Sequence, residues 1–359
     1  MLLNIFFLIA GIFLLIKGSD IFIDAGSAIA KIFRINEILL GLTFVSFGTS
    51  LPELLIGINS ATSGSHGIAI GNIIGTNIFN IAVILGIICI IRPVKFLRGT
   101  VKKDMYMSLL TSIVIFVLLL DTYANGAMQN MISRTDGIIM LLLFGIFMYY
   151  TLYSLIEEIN ARKEHRKARV NHNTNLDNVI PINEDVAKSE IKEKEKEEVK
   201  EIKITLKDID KITKNFFLMI LGLAMIFFGS EFVVDSAKDI SIALNLSEAF
   251  IAIVVIAVGT SLPEISTSIV AFKKGKGNIA IGNLIGSNMF NTLFVLGTAA
   301  TISPIVLPMD SLLIDCIFFI LVCLVISVFS RAKFELSRKE GILLVAIYIL
   351  YLVFVINRL

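Results

Sequence analysis

Tryptophan is absent from the 359 residues, histidine and cysteine occur three times each and proline six times, and charged residues make up only 17%. Each scarcity removes a class of explanation. So little charge beside 56% hydrophobic residues excludes an ordinary soluble domain and leaves a chain that crosses a membrane many times. A net charge of +2 gives nucleic acid no footing, so none is expected as a partner. Cys89, Cys316 and Cys323 each sit in an apolar stretch without paired spacing, which excludes a disulfide framework and leaves packing. His165 and His172 fall in a polar segment and His66 on a short loop, which excludes an intramembrane proton relay or zinc site built on histidine. Interfacial anchoring falls to Tyr106, Tyr149, Tyr150, Tyr153, Tyr348 and Tyr351, all near expected helix ends. H-E-x-x-H, G-x-S-x-G and paired catalytic aspartates are missing, so an enzyme is not expected, nor a cofactor.

What is present is long apolar runs. Crossing the hydrocarbon takes about 20 helical residues, and ten stretches qualify: 2–31, 37–62, 67–91, 104–121, 136–157, 215–243, 247–272, 277–300, 309–329 and 338–357. Met1 to Ile16 lacks the basic start and small-residue cleavage site of a signal peptide, and belongs to the first of them. The expected fold is an all-α membrane protein of ten transmembrane helices. Residues 1–157 and 214–359 each carry five, and 158–213 form a charged linker whose Lys- and Glu-rich composition reads as a solvated tether.

The two halves are copies. Shifting the chain by 211 residues aligns Gly18-Ser19-Asp20 with Gly229-Ser230-Glu231, Asp24 with Asp235, Glu37 with Glu248 and Pro93 with Pro304, without a gap. An odd number of crossings per copy inverts the second relative to the first, a transporter architecture. Lys and Arg concentrate on alternate short loops, at Lys31, Arg34, Arg92, Lys95, Arg98, Lys102, Lys103, Lys273, Lys274, Lys276, Arg331, Lys333, Arg338 and Lys339. Such loops are cytoplasmic. The reading is therefore a multi-pass protein of the cell membrane with both termini extracytoplasmic and the linker cytoplasmic.

The strongest identities are chemical. Gly-Thr-Ser-Leu-Pro-Glu stands at Gly48–Glu53 and again at Gly259–Glu264, and Ile68–Asn80 matches Ile279–Asn291 at ten of thirteen positions. An ionised carboxylate deep in a membrane helix costs about 2.5–3.5 kcal/mol on insertion scales, so Glu53 and Glu264 need compensation. Pro52 and Pro263 bend or open their helices and release backbone carbonyls nearby. Thr49, Ser50, Thr260 and Ser261 add hydroxyls. Thr76 and Asn80 lie four apart, as do Ser287 and Asn291, so each pair shares a helix face. Carboxylate, hydroxyl, amide and carbonyl oxygens are the ligands of hard cations such as Ca2+ and Na+. Asn72, Asn77, Asn283 and Asn288 read either as further ligands or as interhelical packing. Asp20 and Glu231 should lie at opposite mouths, attracting cations or capping long helices.

These motifs resemble the cation/Ca2+ exchanger superfamily, in particular its prokaryotic Na+/Ca2+ exchanger branch, and the resemblance covers both repeats. It implies four ion sites at mid-membrane between the second, third, seventh and eighth helices, with the first and sixth helices sliding to switch access. It also implies Glu53 and Glu264 as carboxylates shared between Ca2+ and Na+, completed by Thr49, Ser50, Thr260, Ser261, Thr76, Ser287, Asn80 and Asn291 and by the backbone carbonyls of Ser46 and Ala257. Related exchangers often carry Asp where this chain has Asn291, which argues against K+ co-transport. The expected function is Na+/Ca2+ antiport, with the ions and the lipid bilayer as partners. A Ca2+/H+ antiporter on the same fold is chemically possible, because paired carboxylates can carry protons, and a cation channel is a weaker alternative.

Overall fold

Uninterrupted apolar sequence folds here as long helices, and polar turns set where they end. The computed structural model describes residues 2–33, 35–95, 104–118, 130–153, 206–244, 257–307 and 309–358. In chain order the elements are α1 (Leu2–Phe33), α2 (Glu37–Thr49), α3 (Leu51–Thr62), α4 (His66–Ile91), β1 (Val94–Lys95), α5 (Tyr106–Leu118), β2 (Met131–Ile132) and α6 (Arg134–Tyr153). The second half has α7 (Leu206–Ala243), α8 (Ala257–Thr260), α9 (Leu262–Lys273), α10 (Gly277–Ile302), β3 (Ile305–Val306), α11 (Met309–Lys333), β4 (Glu335–Leu336) and α12 (Arg338–Arg358).

Among the described residues seven helices are long and apolar enough to span a membrane, and the pair α2 and α3, bent by 45°, makes an eighth. The fourth expected span is described only as the short α5, and the seventh only from Ala257 onward. The all-α expectation needs one small correction, since β1 pairs antiparallel with β4 and β2 with β3. These two-residue ladders tie loop to loop, and strands so short leave no trace in hydropathy. Within the expected 158–213 linker, residues 206–213 are helical and continuous with α7; residues 158–205 lie outside the described ones. His66 opens α4 instead of lying on a loop.

Local chemistry explains the ends. Asn36 caps α2 by accepting from the Ile38 amide at 3.2 Å. Asp136 accepts the Ser133 amide at 2.8 Å while Ser133 Oγ accepts the Asp136 amide at 3.2 Å, a capping box that starts α6. The hairpins α3–α4 and α9–α10 turn at Gly64 (φ 78°) and Gly275 (φ 74°), a conformation open to glycine at little cost.

The central pair is α4 and α10, whose spans are 78% and 94% buried, against 22% and 17% for α1 and α7. Those two peripheral helices lie against each other through glycines. A Cβ at Gly11 would meet Gly229 O at 2.8 Å, and one at Gly18 would meet Gly222 O at 2.7 Å. Under the shift of 211 these two contacts exchange places, and so do the ladders' positions Val94 and Ile305. Closer to the centre, Gly41 of α2 and Gly282 of α10 let backbone meet backbone: their Cβ positions lie 2.4 Å from Ile279 O and 2.3 Å from Ile38 O.

One end of the molecule carries a charged clasp. Lys274 Nζ, in the α9–α10 turn, lies 2.5 Å from Asp20 Oδ1 and 2.6 Å from Asp24 Oδ2, and Lys276 Nζ lies 2.9 Å from Asp24 Oδ1. Asp20 is thus held by a lysine, neither capping its helix nor standing free for cations. The lysines' counterparts under the shift are Ser63 and Ser65, whose hydroxyls bond within their own turn. Tyr351 departs from its expected role as an anchor: it is buried, with its ring 5.3 Å from that of Phe318. Tyr149, Tyr150 and Tyr153 are exposed at the end of α6.

Candidate functional site

Two helix breaks build the site, and they are nearly identical. Ser50 interrupts the helix between α2 and α3 at φ −86°, ψ 5°, and Ser261 does so between α8 and α9 at φ −87°, ψ 2°. The cause is the proline two residues on, which has no N–H to return to the preceding turn. At the second break the Gly259 carbonyl, which Pro263 cannot serve, accepts from Ser230 Oγ of α7 at 3.1 Å. Ser19, the counterpart of Ser230 in α1, bonds Ser266 Oγ at 2.9 Å instead. Wider turns lie close by: π-helical stretches cover Gly41–Val45 in α2, Asn80–Leu85 in α4 and Phe290–Val295 in α10. Such bulges re-aim side chains and recur at functional sites.

Glu53 and Glu264 follow these breaks and are fully buried, each at 0% exposure. Around them α2, α4, α9 and α10 converge. Ser287 Oγ donates to Glu264 Oε1 at 3.4 Å and lies 3.3 Å from Thr49 Oγ1, which in turn donates to Asn283 Oδ1 at 3.2 Å. Asn283 spends its amide hydrogens on Thr267 Oγ1 and Ser268 Oγ, both at 3.0 Å. Neither Thr267 nor Ser268 stood out in the sequence, because their counterparts are Ile56 and Gly57 and the repeat comparison passes over them.

The decisive feature is what remains unbonded. Among the described residues eleven buried side-chain nitrogen or oxygen atoms have no hydrogen-bond partner. Eight of those eleven are oxygens of residues expected as ligands: Ser50 Oγ, both Glu53 oxygens, Thr76 Oγ1, Asn80 Oδ1, Ser261 Oγ, Glu264 Oε2 and Asn291 Oδ1. Each buried orphan costs about 1–3 kcal/mol, so their concentration on the residues expected as ligands fits the donor set of an oxygen-bound cation. The remaining expected residues differ. Thr49 and Ser287 are buried but bonded to neighbours, and Thr260 is partly exposed. The Ser46 carbonyl already accepts from the Ser50 amide at 3.0 Å and lies 3.4 Å from Thr49 Oγ1. On the other half the Ser261 amide reaches the Val258 carbonyl at 3.1 Å.

Comparison with known proteins bears on the family and the fold. The family model described as sodium/calcium exchanger protein matches residues 3–153 and 214–357. The sodium/calcium exchanger MaX1 of Methanosarcina acetivorans is 28% identical over 363 residues, covering 98% of this chain and 97% of its own length. The inner membrane protein YrbG of Escherichia coli is 29% identical over 310 residues, covering 85% of this chain and 81% of its own. A solved structure of the sodium-calcium exchanger NCX_Mj superposes with a TM-score of 0.75 at 26% identity, over 98% of both chains. With a helix-packed membrane fold, two buried glutamates and a family match over both halves, the chain belongs to the sodium/calcium exchanger protein family.

Proposed function

We propose that this protein exchanges Na+ for Ca2+ across the cell membrane by alternating access, with both ions competing for the oxygens around Glu53 and Glu264. The observation that carries this reading is the cluster of orphaned oxygens on residues of both halves. Two carboxylates neutralise one Ca2+ and are exceeded by three Na+, so the two loads exclude each other. An empty site holding two buried negative charges crosses poorly, which makes exchange obligatory. The ligands are Glu53, Glu264, Ser50, Ser261, Thr76, Asn80 and Asn291, joined by Thr49, Thr260 and Ser287 and by the Ser46 and Ala257 carbonyls once the present hydrogen bonds rearrange around an ion. Ten crossings in two inverted five-helix repeats, with extracytoplasmic termini and a cytoplasmic linker, complete the proposal. The reciprocal glycine contacts of α1 and α7 support the repeat, since each maps onto the other under the same shift.

The test is 45Ca2+ uptake into proteoliposomes loaded in turn with Na+, K+ or H+, each with an outward gradient at clamped voltage. Uptake is expected with internal Na+ alone, and K+ on either side should make no difference. Uptake driven by H+ alone, or needing no counter-ion, would overturn the reading.

A further inference from the structure

The amides of Asn80 and Asn291 present oxygen and not nitrogen to the site, and something must decide which way round they sit. An asparagine side chain is nearly symmetric in shape, so packing alone does not choose between Oδ1 and Nδ2. Here a chain of hydrogen bonds crosses between the two halves. Asn288 Nδ2 donates to the backbone carbonyl of Asn77 at 3.0 Å, and Asn288 Oδ1 accepts from Asn80 Nδ2 at 3.1 Å. A carbonyl can only accept. It therefore fixes Asn288 with its NH2 toward Asn77, which turns Asn288 Oδ1 to Asn80, which leaves Asn80 Oδ1 unbonded. Asn291 Nδ2 likewise donates to Asn77 Oδ1 at 3.4 Å, while Asn77 Nδ2 is held by Thr292 Oγ1 at 2.8 Å. Asn77 and Asn288 are counterparts under the shift of 211, as are Asn80 and Asn291, so each half orients the other half's asparagine.

We infer that Asn288 and Asn77 are positioning residues that hold the Asn80 and Asn291 oxygens toward the transported cation, and are not ligands themselves. The inference rests on the transport reading above. It assigns Asn288 the firmer hold, because its polarity ends on an acceptor that cannot reverse, whereas the Thr292 hydroxyl can donate or accept. Both residues are fully buried, and the oxygen and nitrogen of each side-chain amide already engage protein partners, unlike the orphaned Asn80 and Asn291 oxygens.

A carboxylate has two equivalent oxygens and needs no orientation. Ca2+ binding to the purified full-length protein is measured by isothermal titration for Asn288→Ala alone and in an Asn80→Asp background, and for Asn77→Ala alone and in an Asn291→Asp background. Each alanine variant alone should weaken Ca2+ binding about tenfold or more, the usual effect of losing a partner that orients a metal ligand. Within the matching aspartate background the same change should cost about twofold or less. Equal losses in both backgrounds, or none in the first, would overturn the inference. The two arms are independent, so a fold defect in one, seen by thermal unfolding without ions, leaves the other decisive. Failure of the unmodified protein to bind Ca2+ would instead overturn the transport reading on which the inference rests.

Discussion

Glu264→Gln is expected to abolish Na+-driven Ca2+ uptake in proteoliposomes, with Glu53→Gln doing the same. The substitution keeps the shape and removes one of the two charges that balance Ca2+. Unit charges 4 Å apart interact by about 4 kcal/mol at an effective dielectric of 20, and a divalent cation doubles that. Losing even half of the interaction with one carboxylate lowers affinity about a thousandfold. Folding should not suffer. A buried carboxylate with orphaned oxygens is a destabilising group in the ion-free protein, so the ion-free melting temperature should be equal or higher. Glu264→Asp, which keeps the charge but shortens the reach, should retain measurable exchange. A fully active Glu264→Gln protein would show that the carboxylate does not bind the ion.

Gly282→Ala is expected to have the largest effect of any change outside the ligands. Its new Cβ would lie 2.3 Å from Ile38 O and 2.9 Å from Leu42 N, and both neighbours are backbone. No rotamer relieves such a clash, so α2 and α10 must part. Overpacking of this kind costs about 1–3 kcal/mol in a well-packed core. The added loss is functional, because α10 also carries Asn283 and Ser287, which engage Thr49 and Glu264. Thermal unfolding and Ca2+ titration should both register the change. Gly145→Ala on α6 is the control, since a Cβ there meets nothing within 4 Å among the described residues. A glycine replaced by alanine in an exposed helix should be neutral or stabilise by up to about 1 kcal/mol. Equal behaviour of the two variants would show that the close crossing of α2 and α10 does not matter.

Reading the chain against itself exposed the features that both halves share and was blind to those they do not. Glu53 and Glu264, the breaks at Ser50 and Ser261 and the Asn80 and Asn291 strip all occur twice, and the structure buries both glutamates and both asparagines and breaks a helix at each serine. Thr292 anchors Asn77, yet its counterpart is Ile81, and Thr267 anchors Asn283 while its counterpart is Pro-break neighbour Ile56; a comparison of halves gives neither any weight. The helical conformation of residues 206–213 was not legible, because a helix rich in Lys and Asp has the hydropathy of a tether. The ion pair of Asp20 was illegible for another reason. Its partner Lys274 is 254 residues away, and pairing over that distance depends on tertiary structure alone. The orientation of Asn80, too, depends on hydrogen-bond polarity, a property that residue spacing does not encode.

The clasp of Lys274 and Lys276 on Asp20 and Asp24 has a kinetic meaning for an exchanger built of two copies. On the proposed alternating-access reading, matching inverted copies would open with equal ease toward either side, and a pair of lysines in one copy against a pair of serines in the other would make the two faces unequal. Partly exposed ion pairs contribute about 1 kcal/mol or less each, enough for a few-fold difference in rate. Since the clasp touches protein alone, microscopic reversibility limits it to timing. Forward and reverse turnover should draw together in a protein carrying Lys274→Ala and Lys276→Ala, while the Na+ gradient that just halts net Ca2+ flux stays where it was. The molecule would then be a rectifier in its rates and an impartial balance at equilibrium.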